Sequence, residues 1–271
     1  MKALSQNRRH PLMGLALLLL GLLVTGGLYS VASTVNQAQA ATQVTAAASA
    51  DDISEGEKLF NANCASCHGT GAAGGPSGPS LIGVGAASVD FQVGTGRMPM
   101  QMNGPQAQVK PNQFNDEQTA QLAAYVASLG AGPAIPSADK YSTAGLSDED
   151  LARGGELFRT NCSACHNFEG SGGALPDGAY APALKGVSSK HIYEALRTGP
   201  QQMPLFSEGA LPDEDVKDII GYLTNLNEKP SYGGFALGGL GPVAEGFWGW
   251  LIGIGSLVLV ATWLAKKGAR A

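Results

Sequence analysis

The chain has 271 residues, only 14% of them charged, with 38 glycines and a mean hydropathy close to zero. Its formal net charge of −5 hides a segregation: Lys2, Arg8 and Arg9 open the chain, Lys266, Lys267 and Arg270 close it, and residues 31–242 hold 21 acidic against 11 basic side chains. An acidic body between basic ends argues against nucleic acid as a partner, and so sparing a use of charge places part of the chain in a membrane.

Residues 1–10 form a basic leader, and residues 11–31 are an almost uninterrupted apolar run rich in leucine. Two readings compete for that run. One is a secretory signal peptide with Ala38, Gln39 and Ala40 as its small-residue cleavage site. The other is a retained transmembrane helix, favoured because the run exceeds an ordinary signal core and matches the roughly 20 residues that cross a bilayer. Under both, the basic end stays in the cytoplasm and the chain beyond the apolar run is exported. Residues 32–50, rich in Ala, Thr, Gln and Ser, read as a tether.

Residues 51–130 are expected to form a first domain. Asp51 or Ser54 can cap a short helix that passes through Glu55, Leu59 and Phe60 to reach Cys64. The run Cys64-Ala65-Ser66-Cys67-His68 is a C-x-x-C-H motif, the attachment site of a c-type haem. Cys64 and Cys67 would bond the haem covalently and His68 would reach its iron. Residues 69–79 are a glycine-rich loop, either a passage for backbone close to the porphyrin or a plain surface loop. A second axial ligand is sought among Met98, Met100 and Met102. Met98 is preferred, since its Met-Pro step recurs later in the chain, with Met100 next. Residues 116–129 read as an amphipathic closing helix with Leu122, Val126 and Leu129 on one face, stopped by Gly130.

After a linker at 131–146 marked by Gly132-Pro133 and Ile135-Pro136, the pattern restarts over residues 147–229. Cys162-Ser163-Ala164-Cys165-His166 repeats the motif, with Leu157, Phe158 and Asn161 in register with Leu59, Phe60 and Asn63. A closing helix over 213–226 places Ile219, Leu223 and Leu226 at a constant offset of 97 from their counterparts. Met203, in the second Met-Pro step, is the expected axial partner of His166. His191, near the start of a helical stretch over 189–197, reads as a solvated residue. The two motifs use all four cysteines. A four-cysteine zinc ribbon wants its pairs roughly 15–20 residues apart, whereas 98 positions separate Cys64 from Cys162. A redox dithiol wants a βαβ setting that is not visible here.

A second linker at 230–242 leads to a transmembrane helix at 243–265. Its 18-residue apolar stretch, 247–264, spans about 27 Å at 1.5 Å per residue. Trp248 and Trp250 mark one interface and Trp263 the other, and a basic tail at 266–271 places that end in the cytoplasm. The fold expected is therefore all-α, two tandem haem domains between an N-terminal and a C-terminal transmembrane helix, multi-pass in a bacterial cell membrane with the haem domains outside.

Each half resembles a class I cytochrome c. That resemblance implies two covalently bound haem c groups, and it gives the carbonyls of Pro79 and Pro182 the part of holding the axial histidine rings. The whole layout is similar to the dihaem cytochrome c subunit (cytochrome cc) of the actinobacterial menaquinol–cytochrome c reductase. The likeness implies a cytochrome b subunit, a Rieske iron–sulfur subunit and an aa-type cytochrome c oxidase as partners, in contact with membrane lipid. It implies electron relay from the Rieske protein to the oxidase, as a non-catalytic carrier within an oxidoreductase complex. The dihaem subunit of a cbb-type oxidase is an alternative that lacks a helix after its second haem domain. A dihaem peroxidase is another, and it needs one iron left open.

Overall fold

The computed structural model describes residues 15–30, 48–228 and 237–268. The described residues pack as two units. One is built from the chain up to Gly94 together with Asn112–Ile135, the other from Thr95–Pro111 together with the chain from Pro136 onward.

In the first unit, helix α2 (Ala50–Asn63, after α1 at Leu15–Ser30) opens on Ser49 rather than on Asp51 or Ser54. The reason is a capping box. The Ser49 hydroxyl accepts from the Asp52 amide at 3.0 Å while the Asp52 carboxylate accepts from the Ser49 amide at 3.1 Å, which satisfies two amides the first turn leaves unpaired. Helix α3 (Ala65–His68) is a single turn. Helix α4 (Ala86–Gly94) buries Val89, Phe91 and Val93, and their alternation with Ser88, Asp90 and Gln92 gives the sequence no helical period. Helix α5 (Asp116–Ser128) is the expected closing helix, with Leu129 as its C-terminal cap. It packs along α2, and the rings of Phe60 and Tyr125 meet there at 5.3 Å between centroids.

The second unit repeats this plan. Helix α7 (Asp148–Asn161) carries the same capping box on Ser147 and Asp150, and packs along α10 (Asp213–Glu228). Phe158 and Tyr222 meet at 5.8 Å. Between them lie α8 (Ser163–His166) and α9 (Ser189–Thr198). The core gathers Phe158, Ile192, Leu196, Val216, Ile220 and Leu223. One feature qualifies the all-α expectation and another the expected linker. A two-residue antiparallel ladder joins β1 (Gly173–Ala174) to β2 (Tyr180–Ala181). A helical turn, α6 (Ala138–Tyr141), also stands inside the expected linker, where Lys140 pairs with Asp213.

Helix α11 (Pro242–Gly268) has 27 residues, longer than the stretch expected, and is long and apolar enough to cross a membrane. Its apolar side chains are exposed along its whole length, so it is no core helix of the unit. Helix α1 (Leu15–Ser30) falls short of a bilayer-crossing length by itself. The rest of the expected first span, residues 11–14 and 31, lies outside the described residues, as do the leader, most of the tether and residues 229–236.

Candidate functional site

Helix α2 delivers Cys64 to the end of its last turn, where the Cys64 amide donates to Phe60 O at 2.7 Å. The amides of Cys67 and His68 then donate to Cys64 O at 3.1 and 3.0 Å. One helical turn therefore carries both thiols on a single face, three residues apart, with the imidazole next to them. The second unit builds the same turn: Cys162 N donates to Phe158 O at 2.8 Å, and Cys165 N and His166 N donate to Cys162 O at 3.1 and 2.9 Å.

The imidazoles are oriented from behind. His68 Nδ1 lies 2.8 Å from Pro79 O, and His166 Nδ1 lies 2.9 Å from Pro182 O. A carbonyl can only accept, so each Nδ1 carries the proton and donates, leaving the Nε2 lone pair free for a metal. Burial lowers the His166 pKa against the opposing effect of that hydrogen bond, which keeps the ring neutral as a ligand must be.

The glycine-rich loops run against the attachment turns themselves. A Cβ on Gly78 would stand 2.9 Å from Cys67 O and 3.0 Å from His68 Nδ1. One on Gly173 would stand 2.7 Å from Cys165 O. The close approach that excludes a side chain is thus to the Cys–His turn, and this is what brings Pro79 and Pro182 within reach of the rings. After the histidine the chain must enter the left-handed region, at Gly69 (φ 76°) and at Asn167 (φ 60°). Glycine adopts this without steric cost; Asn167 instead donates from its side chain to Gly172 O.

None of the four cysteines is in a disulfide. Burial, and after it the neighbouring Cys67, pushes the Cys64 thiol up to about 11; burial and Cys165 do the same for Cys162. A redox dithiol needs the opposite, a depressed pKa. Cys64, Cys67 and Cys162 are half-buried and Cys165 is exposed, so the thiols stand at the surface of the unit, which fits thioether bonds to a haem edge.

Met203 is half-buried and packs on the second core, as do Cys162 and Leu184, so that unit brings attachment turn and methionine to one apolar surface. Met98 and Met100 are half-buried and Met102 is 79% exposed. All three lie in Thr95–Pro111, which packs with the second unit, whereas Cys64, Cys67 and His68 belong to the first. That segment is held by Lys110, which donates to Pro99 O at 2.5 Å, and by two side-chain amides. The Gln106 amide pairs with both backbone groups of Tyr180 at 2.7 Å, and the Gln201 amide with both of Ala107 at 3.3 Å. His191 lies on α9, and its amide donates to the Ser188 hydroxyl at 3.2 Å.

Two residues of structural consequence escape a reading of motifs. A Cβ on Gly56 would lie 2.0 Å from Gln121 O, and one on Gly154 would lie 1.9 Å from Asp218 O. Each is the point where the two long helices of its unit touch backbone to backbone. The signal was available: a glycine inside a helical pattern, at the same place in both copies.

The model of the family described as Cytochrome C oxidase, cbb3-type, subunit III matches residues 51–126 and again 149–223. The cytochrome bc1 complex cytochrome c subunit of Corynebacterium diphtheriae is 46% identical over 227 residues, 79% of this chain and 81% of the relative. That of Mycobacterium leprae is 44% identical over 258 residues, 94% and 87%. The Cbb3-type cytochrome c oxidase subunit FixP of Rhizobium meliloti is 27% identical over 186 residues, 64% and 60%. Two cytochrome c domains imply covalently bound haem c, and the exposed apolar helix α11 agrees with a place at a membrane. The chain belongs to the family of cytochrome c subunits of the cytochrome bc1 complex.

Proposed function

We propose that the chain is a dihaem electron carrier of a menaquinol–cytochrome c reductase. Cys64, Cys67, His68 and Met98 would hold its first haem, and Cys162, Cys165, His166 and Met203 its second. The observation that carries this reading is the duplicated Cys–His turn, each imidazole tied at Nδ1 to a proline carbonyl.

A bound haem c supplies a one-electron couple, and a methionine opposite the histidine raises its potential and fills the coordination sphere. The chain's own part is to hold and tune it. The thiols fix the porphyrin edge, Pro79 O and Pro182 O set the histidine tautomer, and the Phe60 and Phe158 clusters exclude water behind the turn. Helix α11, with Lys266 and Lys267 at its end, anchors the haem units on the outer face, and α1 belongs to a second anchor. The partners are the cytochrome b and Rieske subunits of the complex and an aa-type oxidase, between which the chain relays electrons. The reading draws on relatives named as bc1 complex subunits.

The test is purification from membranes in mild detergent with haem counting. Two haems c per chain, co-purifying with cytochrome b, a Rieske protein and an oxidase, is the expected outcome. Recovery with a cbb3-type oxidase alone would move the chain to the function that its family model describes. Met98→Ala is expected to lower the potential of the first haem with the haem still attached. A change on Met100→Ala alone would reassign that ligand.

A further inference from the structure

The segment that carries Met203 is gripped from the preceding helix by one buried side chain. Helix α9 ends on Gly199, whose φ of 58° turns the chain back beneath it, and a Cβ there would stand 2.8 Å from Leu205 N and 3.0 Å from Met203 O. Met203 N donates to Pro200 O at 3.0 Å, and Phe206 N returns to Leu196 O at 2.9 Å. The methionine therefore sits at the tip of a closed excursion from the end of α9.

Arg197 fastens the returning limb. Its side chain is 10% exposed. Nη1 donates to Phe206 O at 2.9 Å and to Leu211 O at 2.8 Å, and Nη2 donates to Asp213 Oδ1 at 2.7 Å. Asp213 is held in turn by the Tyr193 hydroxyl at 2.6 Å and by Lys140. Only a planar fork with several donors spans two carbonyls and a carboxylate at once, so a lysine cannot replace it. In the first copy, Thr95-Gly96 stands where the second has Thr198-Gly199, and the place of Arg197 is taken by Gly94, the last residue of α4.

We propose that Arg197 is a positioning residue for the Met203–iron bond: by pinning the carbonyls of Phe206 and Leu211 it holds the thioether against the second haem alone. This rests on Met203 being that iron's ligand. The strength of a bond to a tethered side chain depends on how little freedom the tether has when the bond is broken. A loosened segment leaves the ferric iron open to an outside ligand.

The experiment compares the full chain with its Arg197→Lys and Asp213→Asn variants, both haems attached. Imidazole is titrated into the oxidised protein, the two ferric haems being separated by electron paramagnetic resonance, and both midpoint potentials are measured. The expected result for Arg197→Lys is about tenfold tighter imidazole binding at the second haem, equivalent to about 1.4 kcal/mol. With it go a lower potential of that haem and an unchanged first haem. Asp213→Asn, which removes the support behind the guanidinium, shifts the same haem in the same direction by less. If both variants melt at a lower temperature but keep the parent's imidazole affinity and potential at the second haem, the proposal falls and the network only stabilises the fold. If Met203→Ala leaves the second haem's spectrum unchanged, the ligand assignment itself is wrong, which is a separate failure.

Discussion

The two units share an attachment turn almost bond for bond, yet the two Met-Pro segments are held by different means. In the second unit, Met203 is fastened from within: the fork of Arg197 reaches Phe206 and Leu211, and the thioether packs on the same core as Cys162. Met98 lies in Thr95–Pro111, which is packed by Lys110 on Pro99, Gln106 on Tyr180 and Gln201 on Ala107. The turn is the same because its geometry is local, fixed by a helix end and a loop close by. The methionine segment differs because its hold depends on partners far along the chain. Gln106 and Tyr180 are 74 positions apart, Ala107 and Gln201 94.

The largest expected effect tests the independence of the two turns. Replacing both Cys162 and Cys165 by serine should halve the haem bound per chain and leave the first haem's spectrum intact. Loss of both haems would show that the units mature together. Next comes the symmetry of the helix crossings. Gly56→Ala and Gly154→Ala each force a Cβ to about 2 Å from a carbonyl oxygen, and each should cost about 3 kcal/mol in denaturant unfolding. A variant that unfolds like the parent would mean that its crossing can open without loss.

The hold on the Met98 segment should be weaker. Gln106→Ala removes two hydrogen bonds to Tyr180 and is expected to cost about 1–2 kcal/mol. The readout is faster amide exchange within Thr95–Pro111, with the amides of Met203 and Phe206 unchanged; uniform loss of protection would contradict a local hold.

The smallest effect concerns acid. Burial raises the Asp213 carboxyl, but hydrogen bonds from Lys140, Tyr193 and Arg197 outweigh it and hold it at about 2. A folded pKa below the unfolded value of 3.8 contributes stability that is fully present above the unfolded pKa and lost as pH falls toward 2. Asp213→Asn should therefore destabilise the second unit at neutral pH and converge with the parent near pH 2. A constant gap across that range would mean that the carboxyl titrates normally.

Much of the site can be read directly from the residues. The Cys–His motifs, the closing helices and the apolar C-terminal helix are written in spacings of four residues or fewer, or in an unbroken apolar run, and local geometry realises them without outside help. The cap at Ser49 is local in the same sense: the serine and its Asp52 partner stand three apart, as a capping box requires, and this reciprocal pair prevails over Asp51 and Ser54. Helix α4 is not legible because Val89, Phe91 and Val93 alternate with Ser88, Asp90 and Gln92 at a period of two, which hides the helical repeat.

By itself, the sequence determined that two equivalent attachment turns exist, each with a histidine and a nearby proline, and that an apolar helix comes after them. It determined this because a helical turn brings residues three apart together wherever it forms. Only the tertiary structure decided that Pro79 and Pro182 reach the imidazoles, that Gly56 and Gly154 are where the long helices touch, and that Arg197 grips the limb beyond Met203. Those contacts join residues whose separation along the chain carries no geometric information, so they exist only once packing has chosen which surfaces meet.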